Sequence, residues 1–206
     1  TFICSLQACS NLGVIKKGQE IHSEMEKKGL LSHRCTGMVG NTLIDMYAKC
    51  GLLGEAFKVR EKAQVGDIVS WNALLTGYSQ LGENGKVLHL FRKILGQGVR
   101  PSEVTFLIVL NACGQVGLFY NSHMYLEIMT KEYGIAPTLK HATGMVYLLC
   151  RKGDIHNAIQ MAKKLPFCAN LVVWHSILSF CRDCGNVALG KDAFESAMKV
   201  NQNNAS

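Results

Sequence analysis

Apolar residues recur along the chain at the spacing of one helix face, in segments separated by short turns of small and polar residues. In the clearest segment Trp71, Leu74, Leu75 and Tyr78 occupy positions i, i+3, i+4 and i+7. The same spacing returns after the turn at Gly82, at Val87, Leu90, Phe91, Ile94 and Leu95. The two segments predict a hairpin of amphipathic helices. No part of the sequence alternates apolar and polar residues as a half-buried strand does, so an all-α fold is expected.

The small-residue turn between paired helices occurs six times, at intervals of 31 to 38 residues. Its glycines are Gly13, Gly51, Gly82, Gly117, Gly153 and Gly185. A hairpin cannot bury its apolar face alone, so hairpins repeated at this interval must stack on their neighbours. Pro101, Pro137 and Pro166 stand at or just before the ends of the units, where one helix stops and the next begins. The sequence therefore predicts one solenoid of stacked antiparallel helix pairs.

The charge balance adds a preference for an anionic partner. The 206 residues include 22 Lys and Arg against 15 Asp and Glu, which gives a net charge of +7 at pH 7. This excess favours nucleic acid over a membrane surface. The longest uncharged stretch, residues 104–126, contains Asn111, Gln115, Asn121 and His123, which a spanning helix would leave unpaired in lipid. No membrane partner is expected.

The nine cysteines are odd in number and spread along apolar stretches. This distribution favours reduced core thiols in an intracellular compartment over a disulfide framework. The sequence begins with neither a Met nor a basic and apolar leader. Any targeting segment is therefore expected to have been removed or left out.

Three segments resemble one known family: NTLIDMYAKCG at 41–51, VSWNALL at 69–75 and VTFLIVLNAC at 104–113. They are similar to plant pentatricopeptide repeat proteins of the class that alternates long, short and standard repeats. The resemblance implies a right-handed superhelical solenoid with units at about 1–36, 37–67, 68–102, 103–138 and 139–170. Residues 171–206 resemble the first extension motif that follows such arrays, through VVW at 172–174 and CRDCGNV at 181–187. The chain departs from the family pattern at Arg60, where an aromatic residue is usual, and at Ala142 and His175.

The resemblance implies that single-stranded RNA lies along the concave face formed by the first helices, with one base at each repeat. It assigns base selection to three pairs, Asn41 with Asp67, Asn72 with Ser102, and Thr143 with Asn170. The family's code matches these pairs to U, C and A. An Asn amide offers both a donor and an acceptor to the edge of a pyrimidine. The alternative interpretation is that these side chains only cap helices.

Four further residues have positions that the resemblance connects with RNA. Val69 and Val104 resemble residues that clamp a base between adjacent repeats, with ordinary core packing as an equal alternative. Lys49 and Arg151 each stand two residues before a turn glycine, where a cation would neutralise a phosphate. The alternative for both is a solvated charge without a ligand.

The long units lack a complete polar pair. Their equivalents are Ile3 and, in the next long unit, Leu107 with Thr138. Because Ile and Leu cannot form a hydrogen bond with a base, these units are expected to space the array or to stack on RNA.

Catalysis is not expected from this chain, and no cofactor, metal or small-molecule substrate is assigned. A cytidine deaminase site needs His-x-Glu and Cys-x-x-Cys patterns that share one zinc. The fragments at 22–24 and 181–184 match these letters, but five repeat units separate them. Two cysteines on one helix face supply only two of the four ligands that structural zinc requires. A deaminase domain farther along a longer protein is left open.

The leading hypothesis is a sequence-specific, single-stranded RNA-binding adaptor of the organelle RNA-editing (C-to-U) type. It would recruit or position a deaminase that acts in trans, with an accessory protein of the editing complex as a further partner. The resemblance implies a mitochondrial or plastid location. The alternative is a helical-repeat protein-binding scaffold in a ribonucleoprotein assembly, with little base selectivity.

Overall fold

A computed structural model of the protein describes residues 2–30, 36–62, 67–164 and 171–203. Within those residues the regular structure is helical and consists of six successive helix pairs. The pairs are α1 (Phe2–Leu12) with α2 (Ile15–Lys27), α3 (Thr36–Lys49) with α4 (Leu53–Lys62), α5 (Ile68–Gln80) with α6 (Asn84–Gly96), α7 (Glu103–Val116) with α8 (Phe119–Glu127), α9 (Leu139–Arg151) with α10 (Ile155–Lys164), and α11 (Leu171–Asp183) with α12 (Val187–Asn203). A single π-helical turn, Ile128–Glu132, extends α8.

The six turns between paired helices share one geometry. Every turn glycine has a positive φ, between 65° for Gly185 and 81° for Gly153. The residue that follows the glycine donates its backbone N–H to the carbonyl five positions earlier, as Leu52 does to Tyr47 at 2.9 Å. This hydrogen bond closes a Schellman motif, which satisfies a free carbonyl at the helix end and needs a residue tolerant of positive φ.

The chain divides into two compact units, Thr1–Ile108 and Val109–Ser206, and the division falls within α7. In the first unit α1, α3 and α5 pack side by side, and each of them also packs against the second helix of its own pair. The core contains Trp71 and Phe91, both fully buried. Phe91 meets Phe106 edge to face, with ring centroids 5.6 Å apart. The predicted apolar face of α5 and α6 is thus the buried face.

In the second unit α9 packs against α10 and α11, and α12 against α10 and α11. Its core surrounds Trp174 and Ile177, which lie against Val146, Ile159 and Ala193. The predicted all-α fold of stacked antiparallel helix pairs is confirmed. Pro101 and Pro137 lie between helix pairs as predicted, whereas Pro166 is outside the described residues. None of the helices in the described ranges is both long and apolar enough to cross a bilayer.

Gly77 marks a close approach between α5 and the preceding helix pair. A Cβ there would stand 2.6 Å from Leu53 Cδ2 and 3.1 Å from Ala48 Cβ. Overpacking lowers the free energy of unfolding by ~1–3 kcal/mol, whereas the higher helix propensity of Ala over Gly raises it by only ~1 kcal/mol. Gly77→Ala is therefore expected to lower the thermal midpoint. Gly85 is the matched control, because its added Cβ would meet open space. Equal midpoints for Gly77→Ala and Gly85→Ala would contradict this packing.

Candidate nucleic-acid interface

The first unit contains an open groove of about 810 Å³ along its first helices. Asn41 and Asn72 line it from α3 and α5, and Val69 and Val104 line it from the first turns of α5 and α7. The groove therefore joins two of the predicted base-selecting residues with both predicted base-clamping residues. All four lie within Thr1–Ile108.

The first polar pair is connected directly. Asn41 Nδ2 donates to Asp67 Oδ2 at 2.8 Å, across 26 positions of sequence. The other carboxylate oxygen of Asp67 accepts the backbone N–H of Ser70 at 2.9 Å and so caps α5. Asn41 Oδ1 is buried and has no hydrogen-bond partner among the residues that the structure describes. Asp67 is consequently both a helix cap and a groove residue, and the two sequence interpretations are compatible at this position.

The second polar pair belongs to a larger network. Asn72 Nδ2 donates to Ser102 Oγ at 3.1 Å, and Asn72 Oδ1 accepts from Thr105 Oγ1 at 2.7 Å. Ser102 and Thr105 also exchange bonds at the start of α7. The Ser102 N–H donates to Thr105 Oγ1 at 3.0 Å, and the Thr105 N–H to Ser102 Oγ at 3.3 Å. The side chains of Ser102 and Thr105 therefore fix the orientation of the Asn72 amide.

Val69 and Val104 are exposed, by 57% and 47%. Their neighbours Ser70 and Thr105 are fully buried. Each valine therefore points away from the core at the first turn of its helix, which does not fit the core-packing interpretation. An exposed branched apolar side chain on a groove wall offers a surface for the face of a base.

Lys49 is less available to a phosphate than the sequence predicted. Its ammonium lies 2.8 Å from Asp45 Oδ2, one helical turn earlier on α3, and Asp45 lines the groove. Arg151 ends α9 and lies over the Tyr147 ring, 6.0 Å from its centroid. Within the described ranges no carboxylate forms an ion pair with Arg151.

Asp45→Asn is expected to strengthen RNA binding, because it releases Lys49 and removes a negative charge from the groove. The expected gain is about two- to fivefold at low salt, the scale of one exposed ion pair.

Lys49→Ala should weaken binding and reduce the slope of log K against log salt by about 0.7, the value for one phosphate contact on a single strand. Titrations at several salt concentrations measure both effects. An unchanged slope in Lys49→Ala would rule out a phosphate contact.

The third predicted pair is only partly visible. Thr143 lies on α9 in the second unit, half-buried, and its hydroxyl donates to the Leu139 carbonyl at 2.8 Å. Only the lone pairs of that hydroxyl remain for a ligand. Asn170 is outside the described residues. This pair stays a prediction.

Among the residues that the structure describes, no side-chain hydrogen bond joins the long-unit residues to a groove residue. Ile3 on α1 and Leu107 on α7 are half-buried apolar side chains. Thr138 caps α9 in a reciprocal arrangement with His141, whose Nδ1 lies 2.7 Å from Thr138 Oγ1. The role of the long units in spacing the array or stacking on RNA remains a prediction.

The departure at Arg60 has a structural explanation. Arg60 is 8% exposed, and its guanidinium carbon lies 3.5 Å from the centroid of the Trp71 ring. The planar guanidinium thus stacks where an aromatic residue is usual. Burial lowers the pKa of Arg60, an effect that the negative charge of Asp67 partly offsets.

Neither the His-x-Glu nor the Cys-x-x-Cys fragment belongs to a metal-binding cluster among the described residues. His22 Nδ1 lies 2.9 Å from the Tyr47 hydroxyl, and burial lowers the pKa of the His22 imidazole. Glu24 is in an exposed ion pair. Cys181 is buried in the second core, whereas Cys184 is exposed. Among the described residues no group of three or more His, Cys, Asp or Glu side chains could hold a metal ion.

Comparison with known proteins explains the repeated geometry. The model of the PPR repeat family matches residues 66–115, and that of the single PPR repeat matches residues 41–65. The pentatricopeptide repeat-containing protein At3g49170, chloroplastic, of Arabidopsis thaliana is 36% identical over 203 residues, which cover 98% of this chain. The Arabidopsis protein At3g53360, mitochondrial, is 36% identical over 200 residues, or 97% of the chain. The chain belongs to the pentatricopeptide repeat proteins.

Solved pentatricopeptide repeat structures share this fold. The crystal structure of PPR10 with an 18-nt psaJ RNA element has a TM-score of 0.70 at 22% identity and covers 90% of this chain and 28% of that one. The pentatricopeptide repeat domain of Arabidopsis protein-only RNase P 1, solved with tRNA, has a TM-score of 0.65 at 10% identity over 86% of this chain and 95% of that one. The chain spans 24% and 26% of the two curated relatives named above.

Three interactions in and behind this pentatricopeptide repeat groove were missed by the sequence analysis. Thr105 stands three residues after Ser102, a capping-box spacing that was a usable signal. Asp45 stands four residues before Lys49, the spacing of a helical ion pair. The stacking of Arg60 on Trp71 had no local signal, because it depends on how α4 packs against α5.

Proposed function

We propose that this chain is a sequence-specific, single-stranded RNA-binding adaptor. The observation that carries the proposal is the groove in which Asn41 and Asn72 are each hydrogen-bonded to a polar residue that closes the same repeat. Exposed Val69 and Val104 stand beside them. Single-stranded RNA needs polar groups for the Watson–Crick edge of a base and apolar surface for its face, and the groove offers both.

The two pairs differ in the protons that they can offer to a base. Asp67 accepts hydrogen bonds only, and Asn41 keeps one N–H, so this pair matches the N3–H donor and carbonyl acceptor of uracil. Ser102 already accepts from Asn72 and from the Thr105 N–H, so its own proton can be donated to a base in place of its long, 3.1 Å contact with Thr105 Oγ1. A hydroxyl proton matches N3 of cytosine, which accepts. The pairs therefore favour U and C in adjacent positions, in agreement with the code that the family resemblance implies. For Thr143 with Asn170 that code gives A.

We further propose that the array alternates long, short and standard repeats, with units at 37–67, 68–102, 103–138 and 139–170 and an extension motif at 171–206. Each of these ranges contains one helix pair. The bounds differ from the helices only at α3, which begins at Thr36, one residue before the range 37–67. An array of this class acts in C-to-U editing, positioning a cytidine for a deaminase that acts in trans, with an accessory protein. Relatives named chloroplastic and mitochondrial support an organellar location.

Titration against RNA oligonucleotides tests RNA binding and selectivity together. Oligonucleotides with the U, C and A pattern are expected to bind more tightly than permuted sequences, and all affinities should fall as salt rises. Equal, salt-dependent binding of every sequence would contradict a specificity adaptor. Absence of RNA binding would leave the protein-binding scaffold as the function of the groove.

The editing assignment needs a separate experiment. Transcripts that copurify with the full-length protein from organelles are expected to carry an edited cytidine beside the bound segment. Bound transcripts without edited cytidines would overturn the editing role and leave RNA binding intact.

A further inference from the structure

Thr105 is the buried link of the network around Asn72. It is 0% exposed, so it cannot touch RNA, yet its hydroxyl lies 2.7 Å from Oδ1 of Asn72, a residue that lines the groove. The same oxygen accepts the Ser102 N–H at 3.0 Å. Ser102 Oγ is 3.1 Å from Thr105 Oγ1, so the two hydroxyls also share a contact.

The distances define which way the Asn72 amide points. The 2.7 Å contact with Thr105 is a normal O–H···O length, whereas the 3.1 Å contact with Ser102 is a normal N–H···O length. The amide oxygen therefore faces Thr105, and the amide nitrogen faces Ser102. A carbonyl oxygen cannot donate, so the Thr105 hydroxyl must donate its proton to Asn72.

This orientation decides what happens to the Ser102 proton. The Thr105 hydroxyl donates to Asn72 Oδ1 and the Asn72 amide donates to Ser102 Oγ, so Asn72 does not need the Ser102 proton. Within the network that proton can be donated only to Thr105 Oγ1, and at 3.1 Å this is a long O–H···O contact that a base nitrogen can replace. If the amide turned over, Ser102 would have to donate to Asn72 Oδ1, and only lone pairs of Ser102 would face the groove. Lone pairs match the N3–H of uracil instead of N3 of cytosine.

We propose that Thr105 is a positioning residue that sets the base preference of the Asn72 and Ser102 pair for cytosine. The proposal rests on the RNA-binding function proposed above. Thr105 acts by holding the amide in one orientation, in which Asn72 does not accept the Ser102 proton and a base can.

The preceding unit offers a natural comparison. Ser70 stands three residues after Asp67, as Thr105 stands three residues after Ser102. Its hydroxyl donates to the Asp67 backbone carbonyl at 2.8 Å, and within the described part of the chain Asn41 Oδ1 has no partner. The Asn41 amide needs no hydroxyl to define it, because only its nitrogen can face the Asp67 carboxylate. A positioning hydroxyl is thus required beside Ser102 and not beside Asp67.

The test compares Thr105→Val, which keeps the shape and removes the hydroxyl, with Thr105→Ser, which keeps the hydroxyl. Affinities are measured for two RNA oligonucleotides that differ only by C or U at the base facing Asn72. The C-over-U ratio is expected to fall about three- to tenfold in Thr105→Val, the worth of one hydrogen bond, and to be retained in Thr105→Ser. Ser70→Ala is the control, in which the preference for U at the base facing Asn41 should persist.

A merely structural role for Thr105 would lower affinity for both oligonucleotides together and leave their ratio unchanged. An unchanged ratio in Thr105→Val, with wild-type preference for C established, would overturn the proposal. A wild-type chain that binds RNA without any base preference would instead refute the proposed function. Thermal midpoints of all variants show whether each protein is folded at the assay temperature.

Discussion

Asp67→Ser is expected to change the preferred base at the first pair from U toward C. The substitution replaces an acceptor-only carboxylate by a hydroxyl that can donate to N3 of cytosine. It also removes a charged partner of the uracil N3–H. Hydrogen bonds to charged groups contribute ~1.5–3 kcal/mol, so the U-over-C affinity ratio should change about ten- to hundredfold. Titration with oligonucleotides that differ only at this base measures the ratio.

The fold should survive this change because Ser is also a good N-cap for α5. Asp67→Asn is the useful control, since it keeps the size and capping ability of the side chain but adds an amide donor. It should lose the preference for U while retaining the thermal midpoint. A protein that still prefers U after Asp67→Ser would show that Asp67 does not read the base.

Trp71→Ala is expected to be the most destabilising single substitution in the first unit. Trp71 is fully buried, and Arg60 stacks on its ring. Truncation of a buried Trp costs ~3–5 kcal/mol, and here it would also leave the buried guanidinium without its stacking partner. Far-UV circular dichroism during urea denaturation should show a lower midpoint. In this variant Trp174 is the sole remaining Trp, so its fluorescence reports on the second unit alone.

Trp71→Phe provides the matched control. It retains an aromatic face for Arg60 and removes the indole N–H, which is buried and has no partner in the described ranges. The midpoint of Trp71→Phe should therefore lie much closer to that of the wild type. Equal losses in Trp71→Phe and Trp71→Ala would contradict a stacking role for the ring.

The helix pairs and their turns were predictable because their determinants are local. The spacing of Trp71, Leu74 and Leu75 defines a buried helix face within two turns of chain. A glycine with positive φ ends the first helix of each pair, and only the few residues around it form the Schellman motif. Tertiary packing did not need to be known for either feature.

The groove was predictable only in part. Family resemblance paired Asn41 with Asp67 and Asn72 with Ser102, and both pairs are hydrogen-bonded across 26 and 30 positions. Hydrophobic periodicity alone carries no such long-range information. The orientation of the Asn72 amide depends on the buried hydroxyl of Thr105, so it required three-dimensional distances.

The central claim is that Asp67 and Ser102 distinguish U from C at adjacent bases. The most direct test measures wild-type chain and the double variant Asp67→Ser with Ser102→Asp against two oligonucleotides that contain the central dinucleotide in opposite order, U-C and C-U. The wild type is expected to bind one of the two oligonucleotides about tenfold or more tightly than the other. The double variant is expected to prefer the other oligonucleotide. An order preference that is absent, or that the exchange leaves unchanged, would contradict the account.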